Sequence, residues 1–257
     1  MTGVVSLRYC TALILLISGC GAPTAPPLPT LPAPRWVPRT HDTAATETGV
    51  RPWPEASADG VGGIRLEWHA LNPLEVGGYR IYRSDTTDAN GTPTRFTELV
   101  TLEYGTTAED TAYVDRAVQH WHMYHYRVHA LDRSPQRREG PPSEITRFML
   151  EPPPIPIAPV GEVHPDSVVF QWSNNVGYVV LRVFEADTSN PDLILHPVWV
   201  FAGAPMDYSN PRIRYNQDGR AKSLHPGRLY RWRISRVTPG RPERGATSIW
   251  RTFWVKQ

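Results

Sequence analysis

Strand-like segments of this chain occur twice, about 100 residues apart. Ile64-Arg65-Leu66-Glu67-Trp68 alternates apolar and polar residues, the period-two signature of a half-buried strand. Val168-Val169-Phe170-Gln171-Trp172 matches it 104 positions later, pairing Ile64 with Val168, Leu66 with Phe170 and Trp68 with Trp172. Tyr124-x-Tyr126-x-Val128 returns as Tyr230-x-Trp232-x-Ile234 at an offset of 106, and an apolar residue (Val118 or Leu224) stands six positions before each tyrosine. Agreement at both ends of a unit of about 100 residues argues for duplication. Between these segments no 3.6-residue period is sustained, and turn signals recur at Asn90-Gly91, Gly140-Pro141-Pro142 and Pro226-Gly227. Many short strands in so little chain predict an all-β protein, with two tandem sandwiches of antiparallel sheets. The length of 257 residues suits two such units, and 40% hydrophobic content excludes a wholly disordered chain.

In detail the repeats resemble the fibronectin type III domain, an immunoglobulin-like β-sandwich. The first unit, 54–150, has Trp68 ending one strand, Tyr79 with Ile81 in GGYRIYRS, and Tyr124 followed by Tyr126, Val128 and Ala130. The second, 154–257, has Trp172 and the approach LHPGRLY to Tyr230. The resemblance implies that Trp68, Tyr124, Trp172 and Tyr230 are structural core. It also implies that each tyrosine forms a corner, with the ring buried and the hydroxyl bonded to backbone upstream. In the second unit either Val179, Leu181 and Val183 or Tyr178, Val180 and Arg182 face inward. The cost of burying an unpaired Arg182 favours the first set. The apolar run Val198-Trp199-Val200-Phe201 is longer than the family's middle strands, so its place in the sandwich is not assigned. Asp115 stands where this family often has Asp, with an expected role in the turn before the tyrosine strand.

The N-terminus reads as an export signal over 1–19: Arg8, then the nine-residue apolar core Tyr9 to Ile17, too short to span a bilayer. Ile17-Ser18-Gly19-Cys20 then resembles the lipobox of bacterial lipoproteins, which implies cleavage before Cys20 and lipidation of its thiol. Cys10 lies inside the apolar core and is removed with it, so no thiol remains for a disulfide or thiolate metal site. The implied location is the bacterial cell envelope, anchored in the membrane by the N-terminal lipid; Gly21 after the cysteine favours the outer membrane. Residues 20–53 carry prolines at 23, 26, 27, 29, 32, 34, 38 and 52. Proline removes amide donors and fixes φ, which predicts a disordered, extended stalk reaching up to about 90 Å at roughly 3.1 Å per residue.

Enzyme signals are absent: no HExxH, GxSxG or phosphate-binding glycine loop. No catalytic residue, metal or cofactor is therefore expected. His120-x-His122-x-x-His125-x-x-x-His129 resembles a metal set only until strand geometry is applied. His125 and His129 share the outward face about 13 Å apart, too far for one ion. The net charge of +2 forms no basic stripe, so no nucleic-acid partner is expected.

One surface stands out. Arg80 and Tyr82, with His125, Arg127 and His129 on the neighbouring strand, are expected to form one exposed basic and aromatic face, the candidate binding face. The second unit adds Arg231 and Arg233 at corresponding outward positions. Residues 51–150 carry 11 basic against 14 acidic side chains, and 151–257 carry 13 against 9, opposite signs that favour docking between units. Pro152-Pro153-Pro154-x-Pro156 predicts a stiff connector. These features point to a non-catalytic surface or periplasmic lipoprotein that binds or scaffolds envelope proteins or cell-wall components, with an unidentified protein or glycan partner. The alternatives are a carbohydrate-binding accessory module with Trp199, Trp250 and Trp254 as sugar platforms, or a structural subunit of an envelope complex.

Overall fold

The computed structural model describes residues 31–54, 62–105, 110–174 and 177–256. The signal 1–19 and Cys20 lie outside the described residues. Within them the chain is all-β, apart from one 3-10 turn at Pro165–Ser167.

The first sandwich contains β1 (Arg51–Trp53), β2 (Gly63–Glu67), β3 (Val76–Ser84), β4 (Thr97–Glu103), β5 (Ala112–Asp115), β6 (Met123–Asp132), β7 (Glu139–Pro142) and β8 (Thr146–Leu150). One sheet has the order β1-β2-β5; facing it lie β4, β3, β6 and the split last strand β7/β8. The second sandwich comprises β9 (Ile155–Ala158), β10 (Gly161–Val163), β11 (Val169–Ser173), β12 (Val179–Ala186), β13 (Ile194–Gly203), β14 (Arg212–Arg214), β15 (Leu229–Val237), β16 (Arg244–Thr247) and β17 (Arg251–Val255). Its sheets are β9-β11-β14 and β13-β12-β15 with the split strand β16/β17. Both follow the strand order of the fibronectin type III fold.

The period-two residues fill the two cores as the alternation predicts. Ile64, Leu66, Trp68, Tyr79, Ile81, Tyr124, Tyr126, Val128 and Phe148 form one; Val168, Phe170, Trp172, Val179, Leu181, Val183, Tyr230, Trp232 and Phe253 form the other. Both tyrosine corners are made: the Tyr124 hydroxyl accepts from Gln119 N–H at 3.0 Å and the Tyr230 hydroxyl from His225 N–H at 2.8 Å. The unassigned run at 198–201 belongs to β13, which pairs with β12 and carries Trp199 into the core.

The last strand of each unit breaks at a serine. Ser143 Oγ accepts from Val128 N–H and donates to Glu144 O; Ser248 Oγ accepts from Ile234 N–H and donates to Ile249 O. Each serine fills the break by taking the partner strand's amide, while both halves stay paired to the tyrosine strand of their own sandwich. One half from each unit also pairs across the units: β8 and β16 run in parallel, with Met149 N–H to Glu243 O at 2.8 Å and Glu151 N–H to Gly245 O at 2.9 Å. One sheet of 11 strands therefore runs through both units. Beside the joint Glu151, 2% exposed, pairs with Arg236 (3.2 Å) and Arg244 (2.5 Å), whose guanidinium carbons also lie over the Trp121 ring.

The expected stalk is corrected from Leu31 onward. Residues 31–40 hold no helix and no strand longer than one bridge, 41–50 turn back, and the whole stretch is bound as a strap across both sandwiches before entering β1. Trp36 bridges to Trp68, Val37 N–H donates to Glu67 O at 3.0 Å, and Trp36 Nε1–H donates to Glu144 O at 2.7 Å. Further along, Arg39 donates to Pro242 O and its guanidinium lies 5.5 Å from the Phe148 ring centre. The strap then crosses β12. Arg182 Nε–H donates to Ala44 O at 2.9 Å and its Nη2 to Asp42 O at 2.5 Å, while Glu47 pairs with Arg182 at 3.2 Å and with Arg233. The strap returns at Gly49, whose φ of +76° closes the turn into β1; a Cβ there would stand 2.6 Å from Val37 O. Proline-rich sequence set the conformation of this segment, but the aromatic and charged side chains between the prolines decide that it docks.

Candidate binding face

The register of β3 and β6 places Arg80 opposite His129, Tyr82 opposite Arg127 and Ser84 opposite His125. The five predicted residues therefore share one face of the sheet. The expectation that this face is open is corrected: His125 is 4% and His129 8% exposed, and Arg80, Tyr82 and Arg127 are half-buried. Two elements close over it. Strand β7 pairs with β6 beside His129, and Phe96, just before β4, lies 4.5 Å from the Arg127 guanidinium carbon.

Glu139, a residue that sequence reasoning missed, organises the face. Its Oε1 accepts from Arg80 Nη1 at 2.7 Å and from the Tyr82 hydroxyl at 2.6 Å, and its Oε2 lies 3.4 Å from His129 Nδ1. Burial pushes the Glu139 carboxyl up, but the Tyr82 and Arg80 hydrogen bonds and the nearby His129 outweigh it, leaving it below the usual carboxylate range. Tyr82 stacks edge-on against His129, with ring centres 5.2 Å apart, and Arg127 lies 5.2 Å from the Tyr82 ring centre. The Arg127 Nε, the His125 Nδ1 and the His129 Nε2 are shielded from solvent without hydrogen-bond partners among the described residues. The pattern of β6 alone carries no sign of Glu139, because it arrives from the half-strand that folds back along β6.

Behind this face, Asp115 has the role expected of it. It accepts from Ala117 N–H at 3.0 Å, from the Tyr126 hydroxyl at 2.9 Å and from Arg83, fixing the turn before β6. No group of three or more His, Cys, Asp or Glu able to hold a metal occurs among the described residues.

In the second sandwich Arg231 and Arg233 do occupy the corresponding outer positions, but the strap and Trp250 cover them. Their guanidinium carbons lie 4.9 and 4.6 Å from the Trp250 ring centre, and Arg233 pairs with Glu47 of the strap. Burial lowers Arg233 to about 10. Of the three candidate sugar platforms, Trp199 is 2% exposed and its Nε1–H donates to Asp218 at 2.9 Å, while Trp250 is packed against these arginines and Phe184. Trp254 remains partly open at 38%.

No protein-family profile matches the sequence, and no curated protein matches it. Among solved structures the chain is similar to an Fn3-like protein from Clostridium thermocellum, at 18% identity over 46% of this chain and 92% of that one, with a TM-score of 0.29. It is similar to the chicken interferon gamma receptor alpha chain at 10% identity over 88% and 100%, TM-score 0.29. It is also similar to the chicken CNTN1 FN1-FN3 domains at 14% identity over 81% and 66%, TM-score 0.27.

Proposed function

We propose that this chain is a non-catalytic lipoprotein of the bacterial envelope, anchored through lipid on Cys20, that binds and scaffolds envelope proteins or cell-wall components. The observation that carries the scaffolding part is the continuous sheet through both sandwiches, which sets the orientation of the Arg80 and Tyr82 face relative to the second sandwich. Two domains joined by a flexible linker would lose that orientation on every encounter; a shared sheet and a common strap remove that freedom. The binding part rests on the Arg80, Tyr82 and Arg127 face. Arginine and tyrosine are the residue types that dominate binding hot spots, and here Arg127 Nε, His125 Nδ1 and His129 Nε2 have no hydrogen-bond partner among the described residues. The membrane part rests on the sequence at Ile17 to Cys20 alone, and no helix among the described residues is long and apolar enough to cross a membrane. The outer membrane is the proposed destination.

Two measurements in the native bacterium test this. A photo-crosslinking side chain at Tyr82 should capture one recurrent partner in intact cells, and the same group at Val169 on the opposite sandwich should not. Capture at both positions alike, or at neither, contradicts the assigned face. Separately, Cys20→Ser should abolish fatty-acid labelling and move the protein to the soluble fraction; persistent labelling contradicts the anchor.

A further inference from the structure

A cleft of about 320 Å³ opens at the edge of the second sandwich between β17, the start of β10 and the loop before β13. Arg231, Trp250, Arg251, Thr252, Pro191 and Asp192 line it. Its size is at the lower end for small-molecule sites, enough for one sugar or amino-acid residue.

Its polar groups are unevenly satisfied. The Arg251 side chain forms no hydrogen bond or ion pair among the described residues, and its Nε is shielded from solvent. A buried guanidinium N–H with nothing to donate to is costly and rare. Arg231 is 14% exposed, held against Trp250, and donates from Nη1 to Pro191 O at 3.2 Å. Its other arm, Nη2, meets the carboxylate of Asp192 at 2.8 Å. Asp192 itself is 87% exposed. A carboxylate held from so exposed a side chain competes with water and is readily exchanged. Asp192 thus already shows which group the cleft accepts: a carboxylate, on a chain that solvent can pull away.

We infer that this cleft is a binding site for a small carboxylate-bearing ligand of sugar-acid size, with Arg231 and Arg251 as its two cationic contacts and Asp192 as an internal occupant that the ligand displaces. The guanidinium group suits this because it offers parallel N–H donors to a planar carboxylate, and Trp250 keeps that of Arg231 in place. Apolar Val160 and Pro191 line the rest of the cleft and suit the carbon body of the ligand. The site shares no residue with the Arg80 and Tyr82 face, so it stands or falls independently of the proposed scaffolding role.

Calorimetric titration of the full chain with glucuronate, glucose and inorganic phosphate tests this. Glucuronate should bind saturably; glucose, which has the same ring without the carboxylate, should bind at least about tenfold more weakly, since the charge-assisted contacts are lost. Arg251→Gln should weaken glucuronate binding by about tenfold or more for the same reason, with the thermal melt unchanged. Asp192→Asn should strengthen it severalfold, a gain that misfolding cannot imitate. Equal binding of glucose, tighter binding of phosphate than of glucuronate, an Arg251→Gln chain that binds as before, or an Asp192→Asn chain that binds more weakly would each overturn the inference.

Discussion

Tyr230 shows how one side chain ties two levels of the fold together. Its ring is fully buried and stacks on Phe253 with centres 5.5 Å apart, while its hydroxyl holds the His225 amide in the loop that enters β15. Tyr230→Ala should cost about 3–5 kcal/mol, mostly as a cavity, and lower the melting temperature markedly. Tyr230→Phe should cost about 1–3 kcal/mol, because only the partner of the His225 N–H is lost. Melting curves of the two variants separate ring from hydroxyl. His125 offers a test by pH. Burial, helped by the charge of Arg147, lowers its pKa below the ordinary 6.5, so the unfolded chain takes up the proton more readily. The folded state should therefore lose stability as pH falls below about 6.5, and His125→Gln should flatten that part of the profile in denaturant melts. Unchanged slopes would remove His125 from the account. At this scale the sequence was informative wherever alternation alone decides the environment, as at Trp68, Tyr124, Trp172 and Tyr230. It was uninformative about Glu139 and Glu47, because their partners come from segments far away in the chain.

Among the elements, the strap over 31–53 is the main departure from what the sequence suggests. A proline-rich stretch reads as free because proline cannot join a ladder, and nothing local announces that Arg182 and Arg233 wait on another strand for Glu47. The sheet strands were legible by contrast, down to the choice of Val179, Leu181 and Val183 as the inward set. That choice rested on keeping Arg182 out of the core, and the structure shows the reason in a different form: Arg182 is on the outer face, 1% exposed, and paired there by the strap. Glu47→Ala should leave two covered guanidinium groups without their carboxylate and cost about 3 kcal/mol. It should also make the chain between Arg35 and Gly49 sensitive to limited proteolysis. Resistance equal to that of the parent would mean that the backbone carbonyls of Asp42 and Ala44 suffice to hold the strap.

For the molecule as a whole, the joint between β8 and β16 decides whether there are two domains or one body. Composition suggested two units of opposite charge and a stiff proline connector, which is compatible with docking but does not specify a shared sheet. The joint forms where two serines split the last strands, a detail with no distinct sequence signal. Gly245 sits in it with φ of +154°, and a Cβ there would stand 2.8 Å from Arg236 O. Gly245→Ala should loosen the joint, and Glu151→Ala should do so more strongly by leaving Arg236 and Arg244 without their carboxylate; each should turn a single thermal transition into two. The central claim, that both sandwiches move as one body, is tested most directly by the distance distribution between spin labels at Glu98 and Glu162, measured by pulsed electron paramagnetic resonance. The parent chain should give one narrow distribution and Glu151→Ala a broad one. A broad or multimodal distribution in the parent would contradict that claim.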